Sequence, residues 1–178
     1  MHTELVSTQT HEGLSLSGAY FSSADTCRTG VIFFHGDGGN FYSPLYLAVA
    51  SDLARSGFAC VSANRRGHDL VSHGIRGGAL AGYAFESVSD AISDYRAWVA
   101  WMKCRGHERI VLAGHSGGAV RAIYAKAHAD FSDVRAVVSV SPGEYRHNGV
   151  LDCHGDDFRL PYERAKQALA DNDPDRLE

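Results

Sequence analysis

A single serine stands among glycines in the stretch Gly114-His115-Ser116-Gly117-Gly118. An apolar run over 110–113 precedes it, and a segment with helical spacing of apolar residues follows it. A serine at a strand-to-helix turn fits G-x-S-x-G, the pattern of a nucleophile elbow, in which the hydroxyl is lifted above a sheet. A glycine-rich turn that Ser116 merely caps is the alternative interpretation.

A second glycine-rich segment, HGDGGN over 35–40, follows the apolar run 31–34. Glycine-rich backbone can direct N–H donors at the oxyanion that forms during acyl transfer. The turn at Ser116 lacks the GK[ST] of a phosphate-binding P-loop and does not match the dinucleotide pattern G-x-G-x-x-G. The two segments therefore favour acyl chemistry over nucleotide binding.

In this order the two motifs resemble the α/β-hydrolase family, which carries an HG-type loop after one strand and G-x-S-x-G after a later strand. The resemblance covers roughly residues 15–142. It implies that Ser116 is the nucleophile and that the backbone N–H groups of Asp37 and Gly117 form the oxyanion hole. We expect the Asp37 side chain to point away, since only its N–H is needed.

A third segment, NRRGH over 64–68, resembles the RGHG-type loop of many α/β hydrolases. We interpret Arg66 and His68 as structural residues that tie this loop to the HG loop. A direct role in substrate binding is the alternative.

A serine nucleophile needs a histidine base that is itself oriented by a carboxylate. In the family the acid and the histidine follow strands beyond residue 140, and this chain resembles a member without its C-terminal third. We therefore expect both groups outside this chain. Within the chain, His147 and His154 are the candidate bases, and the carboxylates that would orient one of them are Asp152, Asp156 and Asp157. His128 lies about 18 Å along the helix from Ser116, at ~1.5 Å per residue.

Two further histidines flank the motifs, and we expect neither to be the base. His115 is predicted to pack beside its strand, and His35 is predicted to stabilise its loop. The cluster over 152–157, which includes Cys153 and His154, resembles a metal patch. No second cluster stands at ligand spacing, so we predict no metal and no cofactor.

The elements that must position these residues follow from hydrophobic patterning. A hairpin is predicted over 4–10 and 14–21, and buried strands over 29–34, 58–63, 109–113 and 134–140. Helices are predicted over 44–56, 85–103, 117–128 and 161–170, and a long loop over 64–83. The pattern predicts an α/β fold of the α/β-hydrolase type with a mostly parallel sheet. Residues 1–142 would form the core, and 143–178 a cap-like segment.

Composition argues against several classes of partner and cellular location. The 178 residues carry a net charge of −4 with no basic run, which argues against nucleic acid. No apolar run is long enough to span a bilayer, and the N-terminus lacks a signal-peptide pattern. The four cysteines are far apart and are predicted to be reduced. We therefore expect a cytoplasmic protein with no membrane contact.

A sheet that ends at residue 140 leaves a hydrophobic edge strand, which native proteins avoid. We expect a protein partner, self-association or a further C-terminal segment to cover it. The predicted function is a serine hydrolase acting on a small ester, thioester or amide, and acyl transfer would use the same residues. The alternative is a catalytically inactive relative that serves as a binding or assembly subunit.

Overall fold

A computed structural model describes residues 2–23, 28–73, 80–143, 152, 154–173 and 176 of the chain. The chain divides after Gly143 into two compact units, which are described separately. The predicted parallel sheet and the helices that flank it lie in the N-terminal unit. The described residues of the C-terminal unit include a long helix.

The apolar runs of the N-terminal unit form a six-stranded sheet in the order β1-β2-β4-β3-β7-β8. The strands β3, β4, β7 and β8 are mutually parallel, and β1 and β2 are antiparallel to their neighbours, so the predicted hairpin and parallel sheet are confirmed. The strands are β1 (Thr3–Gln9), β2 (Ser15–Phe21), β3 (Thr29–Phe34), β4 (Ala59–Ala63), β5 (Ser72–His73), β6 (Leu80–Ala81), β7 (Arg109–His115) and β8 (Val134–Val140).

Helices cover both faces of the sheet, as crossovers between parallel strands require. The helices of this unit are α1 (Pro44–Arg55), α2 (Ala91–Cys104) and α3 (Gly117–His128). The larger core cluster contains apolar residues of both α2 and α3, and the smaller cluster contains those of α1. In the larger cluster the rings of Phe34 and Tyr95 stack with centroids 3.6 Å apart.

The predicted start of α2 was wrong by six residues. Two 3₁₀ turns, Tyr83–Phe85 and Val88–Asp90, precede the helix, which begins at Ala91. The Ser87 N–H donates to the Asp90 carboxylate at 2.8 Å, in a capping box at the second turn. The apolar stripe continues through these turns, which is why periodicity alone placed the start too early.

The segment 64–83 was predicted to be a loop throughout, and this was wrong in part. Within it, β5 and β6 pair as a short antiparallel ladder. Strand β8 occurs where predicted, but the prediction that it is buried was wrong. Only Val134 at its start is buried, and Val138 is 47% exposed. Among the described residues, β8 has a neighbour on one side only.

Beside β8, one sheet face carries a groove of about 370 Å³ that is lined by apolar residues and by Thr29. Strands β3, β7 and β8 form its floor and α1 forms one wall. Its lining includes Val31, Phe33, Val49, Leu53, Val111 and Val138. The exposed apolar surface of the N-terminal unit thus continues from the β8 edge onto this face.

In the C-terminal unit, α4 spans Asp156–Ala170 and begins five residues earlier than predicted. Pro161 lies inside it, and the predicted start had placed this proline in the first turn. None of the helices, searched over the described residues, is long and apolar enough to cross a membrane.

Candidate active site

The carboxyl ends of the four parallel strands bring the sequence motifs together. Phe34 of β3 pairs with Gly114 of β7 on one side and with Ala63 of β4 on the other. The HG loop (35–40), the 64–68 segment and the turn at Ser116 therefore leave the sheet side by side. This edge is where open α/β sheets bind their ligands.

Ser116 occupies the turn between β7 and α3 in a backbone conformation that few residues other than glycine adopt. Its φ is 50° and its ψ is −121°. Its N–H donates to the Val140 carbonyl at 2.9 Å, which anchors the turn to the end of β8. A serine held at positive φ costs on the order of 1–3 kcal/mol, and such strain concentrates at functional sites.

Glycines let the backbone segments approach one another closely. A Cβ on Gly36 would lie 3.2 Å from the Ser116 Cβ, so the HG loop packs directly against the serine. A Cβ on Gly114 would clash with the backbone of Gly118, and one on Gly118 would clash with the carbonyl of His35. The glycines of both motifs are therefore required by packing as well as by the turn.

The hydroxyl of Tyr46, on α1, bridges the two motifs. It accepts a hydrogen bond from the Gly36 N–H at 3.0 Å and lies 3.2 Å from Nδ1 of His115. Tyr46 is buried, and so is its contact with Gly36, whereas its contact with His115 is partly buried. One side chain thus holds the start of the HG loop against the end of β7.

The structure places the Asp37 carboxylate differently from the expectation. Instead of pointing away from the elbow, it packs against Gly117, where any Cβ would clash with it. Its Oδ1 accepts hydrogen bonds from Arg65 at 3.1 Å and from Arg121 at 2.8 Å. Two guanidinium groups hold the carboxylate inside, and this is the physical reason for the error.

These groups belong to a buried charge cluster made of Asp37, Arg65, Glu86 and Arg121. The exposed fractions of their side chains are 22%, 0%, 2% and 4%. The Glu86 carboxylate pairs with Arg65 and also with Arg121, the latter at 2.6 Å. Burial lowers the pKa of Arg65, although the nearby carboxylates oppose that shift. The cluster joins four chain segments beside the elbow.

Arg66 makes structural contacts, as predicted, but the prediction that it ties its loop to the HG loop was wrong. Its guanidinium contacts Asp94 of α2 at 2.8 Å and Glu12 of the hairpin turn at 3.1 Å, and no contact joins it to the HG loop in the part of the chain described. Arg65 makes that connection instead, since it donates to the Gly36 carbonyl at 3.3 Å. Burial raises the pKa of Asp94 despite the opposing effect of Arg66.

His68 contacts the next residue of its own loop. Its Nδ1 lies 2.8 Å from the carboxylate of Asp69, and the Asp69 N–H donates to the Gly39 carbonyl at 2.9 Å. The other Asp69 carboxylate oxygen accepts from Asn40 at 3.0 Å. The 64–69 segment is thus tied to the HG loop through Arg65 and Asp69.

His35 is buried and electrically neutral. Burial, together with the charge of Arg65, lowers its pKa to about 3. Its Nδ1 lies 2.7 Å from the Gly36 carbonyl, which can only accept, so Nδ1 carries the proton. Its Nε2 is buried without a partner among the described residues. This geometry suits a residue that stabilises the loop.

The remaining histidines do not complete a triad within the described residues. His128 is exposed in the last turn of α3, and His154 is exposed in the C-terminal unit. His147 lies outside the described residues, as does Cys153. Across the described ranges, no side chain forms a hydrogen bond with the Ser116 hydroxyl. The elbow and the HG loop are therefore present together, without an observed base.

Metal chemistry finds no support in the described side chains, where no three His, Cys, Asp or Glu residues are grouped to hold an ion. Asp152, Asp156 and Asp157 are all exposed. Of the cysteines described, Cys60 is buried and Cys104 is exposed, and both are free thiols. Burial raises the pKa of the Cys60 thiol, which keeps it protonated.

A family model described as "alpha/beta hydrolase fold" matches residues 30–172, which is most of the chain. The chain belongs to the alpha/beta hydrolase fold family. No curated protein matches it. The sequence prediction of family and fold class is therefore confirmed.

Solved structures resemble this alpha/beta hydrolase at the level of fold. The Pyrococcus furiosus esterase Pf2001 aligns with a TM-score of 0.64 and 24% identity, over 87% of this chain and 55% of that one. GrgF of Penicillium sp. sh18 aligns with a TM-score of 0.67 and 18% identity, over 97% of this chain and 56% of that one. Est1E of Butyrivibrio proteoclasticus with ferulic acid bound aligns with a TM-score of 0.61 and 22% identity, over 76% of this chain and 52% of that one. The chain spans just over half the length of these structures.

Sequence reasoning missed four site residues of this alpha/beta hydrolase: Tyr46, Arg65, Glu86 and Arg121. Their partners lie far away in sequence, and Arg121 contacts an aspartate 84 residues earlier. One signal was present, because an aspartate in a loop that follows a buried strand requires a nearby cation. An arginine four residues after Gly117, in the first turns of the helix behind the elbow, was a suitable source.

Proposed function

We propose that this chain is the nucleophile-bearing part of a serine hydrolase that acts on a small ester, thioester or amide. The observation that carries the proposal is Ser116 at φ 50° between β7 and α3, with the HG loop packed directly against it. A plain helix cap does not need this conformation, because an N-capping residue ordinarily has β-region dihedrals. A nucleophile that must project above the sheet does need it.

In the proposed reaction, the Ser116 hydroxyl attacks the acyl carbon and loses its proton to a base. The N–H groups of Asp37 and Gly117 receive the negative charge on the carbonyl oxygen. Gly117 is the first residue of α3, so its N–H has no partner inside the helix and the helix dipole favours an anion there. The Ser116 N–H is already bonded to Val140, and it is therefore not proposed as a donor. The intermediate then collapses: the bond from the acyl carbon to the alcohol, thiol or amine breaks, and this leaving group takes the proton from the base. Water next attacks the acyl-enzyme and gives a proton to the base, which returns it to Ser116 as the carboxylic acid leaves.

Fold neighbours support an ester as the substrate class. One is named an esterase, and another was solved with ferulic acid bound. The groove beside β8 is not proposed as the acyl site, because its lining lies on a sheet face and does not include Ser116. The identity of the acyl group is thus proposed only as far as a small carboxylic ester or its thioester or amide counterpart.

The base and its acid are proposed to lie outside this chain, on a polypeptide partner that covers the β8 edge. The described histidines form no hydrogen bond with the Ser116 hydroxyl, and this chain covers only 55% and 56% of two of its fold neighbours. The exposed β8 edge and the apolar groove beside it are suited to such a partner. His147 and His154 are the candidates should the base be local.

A fluorophosphonate tests the proposal, since it phosphonylates a reactive serine and changes the intact mass. With imidazole added in place of the external base, we expect one adduct on the wild-type chain and on Ser141→Ala, and none on Ser116→Ala. Ser141 is the matched control because it also has positive φ, at 44°, and directly follows β8. Added imidazole should accelerate labelling if the base is external, and should not if His147 or His154 acts.

A folded chain that stays unlabelled even in imidazole would contradict the proposal. That result would favour the second candidate, an inactive relative that acts as a binding or assembly subunit. The absence of a contact to the Ser116 hydroxyl in the described part of the chain is the observation that keeps this candidate open.

A further inference from the structure

The buried charge cluster connects the two residues whose N–H groups are proposed to bind the oxyanion. Nη1 of Arg121 donates to Oδ1 of Asp37 at 2.8 Å and to the Gly117 carbonyl at 3.2 Å. One nitrogen of one guanidinium therefore contacts both residues, one on the HG loop and the other on the elbow.

The second terminal nitrogen of the same guanidinium, Nη2, also has a partner. Nη2 of Arg121 pairs with Glu86 at 2.6 Å, and the Arg121 side chain is only 4% exposed. Arg65 holds the HG loop from a second direction, through the Gly36 carbonyl at 3.3 Å and Asp37 at 3.1 Å. A planar group held at both ends allows little relative movement of the segments that it joins.

Stability alone does not account for such a cluster. Removing charges from water is costly, and well-packed apolar residues of similar volume often stabilise a protein as well as a buried ion pair does. Both arginines also have a buried Nε without a partner among the described residues. What the cluster provides beyond stability is a fixed distance between two backbone segments.

We infer that Arg121 is a positioning residue that sets the spacing of the Asp37 and Gly117 N–H groups for the oxyanion. The inference rests on the proposed function, because it assigns a purpose to these two donors. Arg121 does not touch the substrate in this account and acts only through the two residues that it bridges. Losing one oxyanion donor costs about 10²–10³ in rate, and small misplacements cost about 10²-fold.

The test compares Arg121→Lys with Arg66→Lys. Lysine keeps the charge but lacks the planar fork, so it does not span from Asp37 and Gly117 to Glu86. Arg66 is the matched control because it also pairs with a buried carboxylate, that of Asp94, outside the cluster. Two readouts are needed: the fluorophosphonate labelling rate per folded molecule, and the NMR backbone order parameters at Asp37 and Gly117.

We expect Arg121→Lys to slow labelling on the order of 10²-fold and to lower both order parameters from the rigid value of about 0.85 toward 0.6. Arg66→Lys should change the melting temperature alone. Unchanged order parameters in Arg121→Lys, or an unchanged labelling rate, would overturn the inference.

The two proposals fail separately. If the wild-type chain is never labelled but Arg121→Lys still loosens Asp37 and Gly117, the hydrolase proposal fails while the bridge stands. If Arg121→Lys does not fold, the pair Arg121→Met with Asp37→Asn replaces it, because it removes one charge of each sign and leaves the Asp37 N–H. This pair should fold and label about 10²-fold more slowly, and wild-type labelling by it would refute the positioning role.

Discussion

Ser116 combines two properties that a sequence motif cannot separate, a hydroxyl and a strained backbone. Its φ of 50° is a conformation that glycine adopts freely and that any residue with a Cβ adopts at a cost. In the proposed reaction the hydroxyl is the attacking group, and the strained backbone sets its position. Substitutions that remove the hydroxyl can keep or release the strain.

Ser116→Gly should therefore be more stable than Ser116→Ala by about 1 kcal/mol, although both lose the proposed nucleophile. The glycine relieves the positive φ, and the alanine retains it. Urea unfolding of the two variants measures the difference directly. Equal midpoints would show that the turn relaxes when the serine is removed, and that the strain depends on the hydroxyl.

His35 should make the protein sensitive to acid. Its pKa in the folded chain is about 3, against 6.5 for an ordinary histidine, so between these values the unfolded chain binds a proton that the folded chain does not. The stability that His35 contributes is fully present above pH 6.5. It should decline as the pH falls toward 3, by at most about 1.4 kcal/mol per pH unit.

His35→Asn is the variant that isolates this effect, because its amide can still donate to the Gly36 carbonyl. Urea unfolding between pH 4 and pH 7 should show a flatter pH dependence for the variant than for the wild type. Parallel curves would mean that His35 is protonated in the folded protein.

The side chain of Asp37 illustrates what sequence reasoning cannot reach at the residue scale. The motif predicts a role only for its backbone N–H, whereas the orientation of the carboxylate depends on Arg65 and Arg121, which are 28 and 84 residues away in sequence. No local pattern encodes a contact of that range. The elbow itself was predictable because all its glycines and its serine lie within five residues.

At the scale of elements, α1 does more than cover the sheet, since its Tyr46 hydroxyl joins the HG loop to the end of β7. Tyr46→Phe keeps the ring packing and leaves the buried Gly36 N–H without its acceptor. We expect a loss of about 1–3 kcal/mol in the free energy of unfolding.

Tyr42→Phe is the matched control for Tyr46→Phe. Its hydroxyl makes an exposed contact of 3.4 Å with Asp69, and its loss should cost less than about 0.5 kcal/mol. Chemical unfolding of both variants checks the comparison. Equal losses would mean that the bridge from α1 to the HG loop contributes nothing beyond a surface hydroxyl.

Most elements could be predicted from the sequence because parallel strands and their crossover helices leave strong apolar patterns. The start of α2 was missed because its apolar stripe runs on through two 3₁₀ turns, although the Ser87-x-x-Asp90 spacing marked a boundary. The exposure of β8 was missed for another reason. An apolar run predicts a strand, but it cannot say how much of the rest of the protein packs on it.

At the scale of the whole molecule, the β8 edge should govern association. Val138 is 47% exposed on a strand that pairs on one side only in the described chain. The isolated protein should therefore self-associate as its concentration rises, and Val138→Lys should keep it monomeric, since edge lysines block strand pairing. Sedimentation velocity over a concentration series provides the measurement.

Ile123→Lys serves as the control for the edge prediction. Ile123 is also 47% exposed, but it lies on α3 and not on a strand edge. The control should associate as the wild type does. A wild-type chain that stays monomeric throughout, or an equal effect of both lysines, would show that β8 is not the associating surface.

The buried charge cluster also constrains how this chain can change over evolutionary time. Its two carboxylates and two guanidinium groups balance, so neutralising any one of them leaves an unpaired charge in the interior. Neutralising one residue of each sign restores the balance. A single charge-neutralising substitution at one of these four positions is therefore unfavourable, whereas a paired substitution of one acid and one base is tolerated. The HG loop and the helix behind the elbow are therefore expected to evolve together.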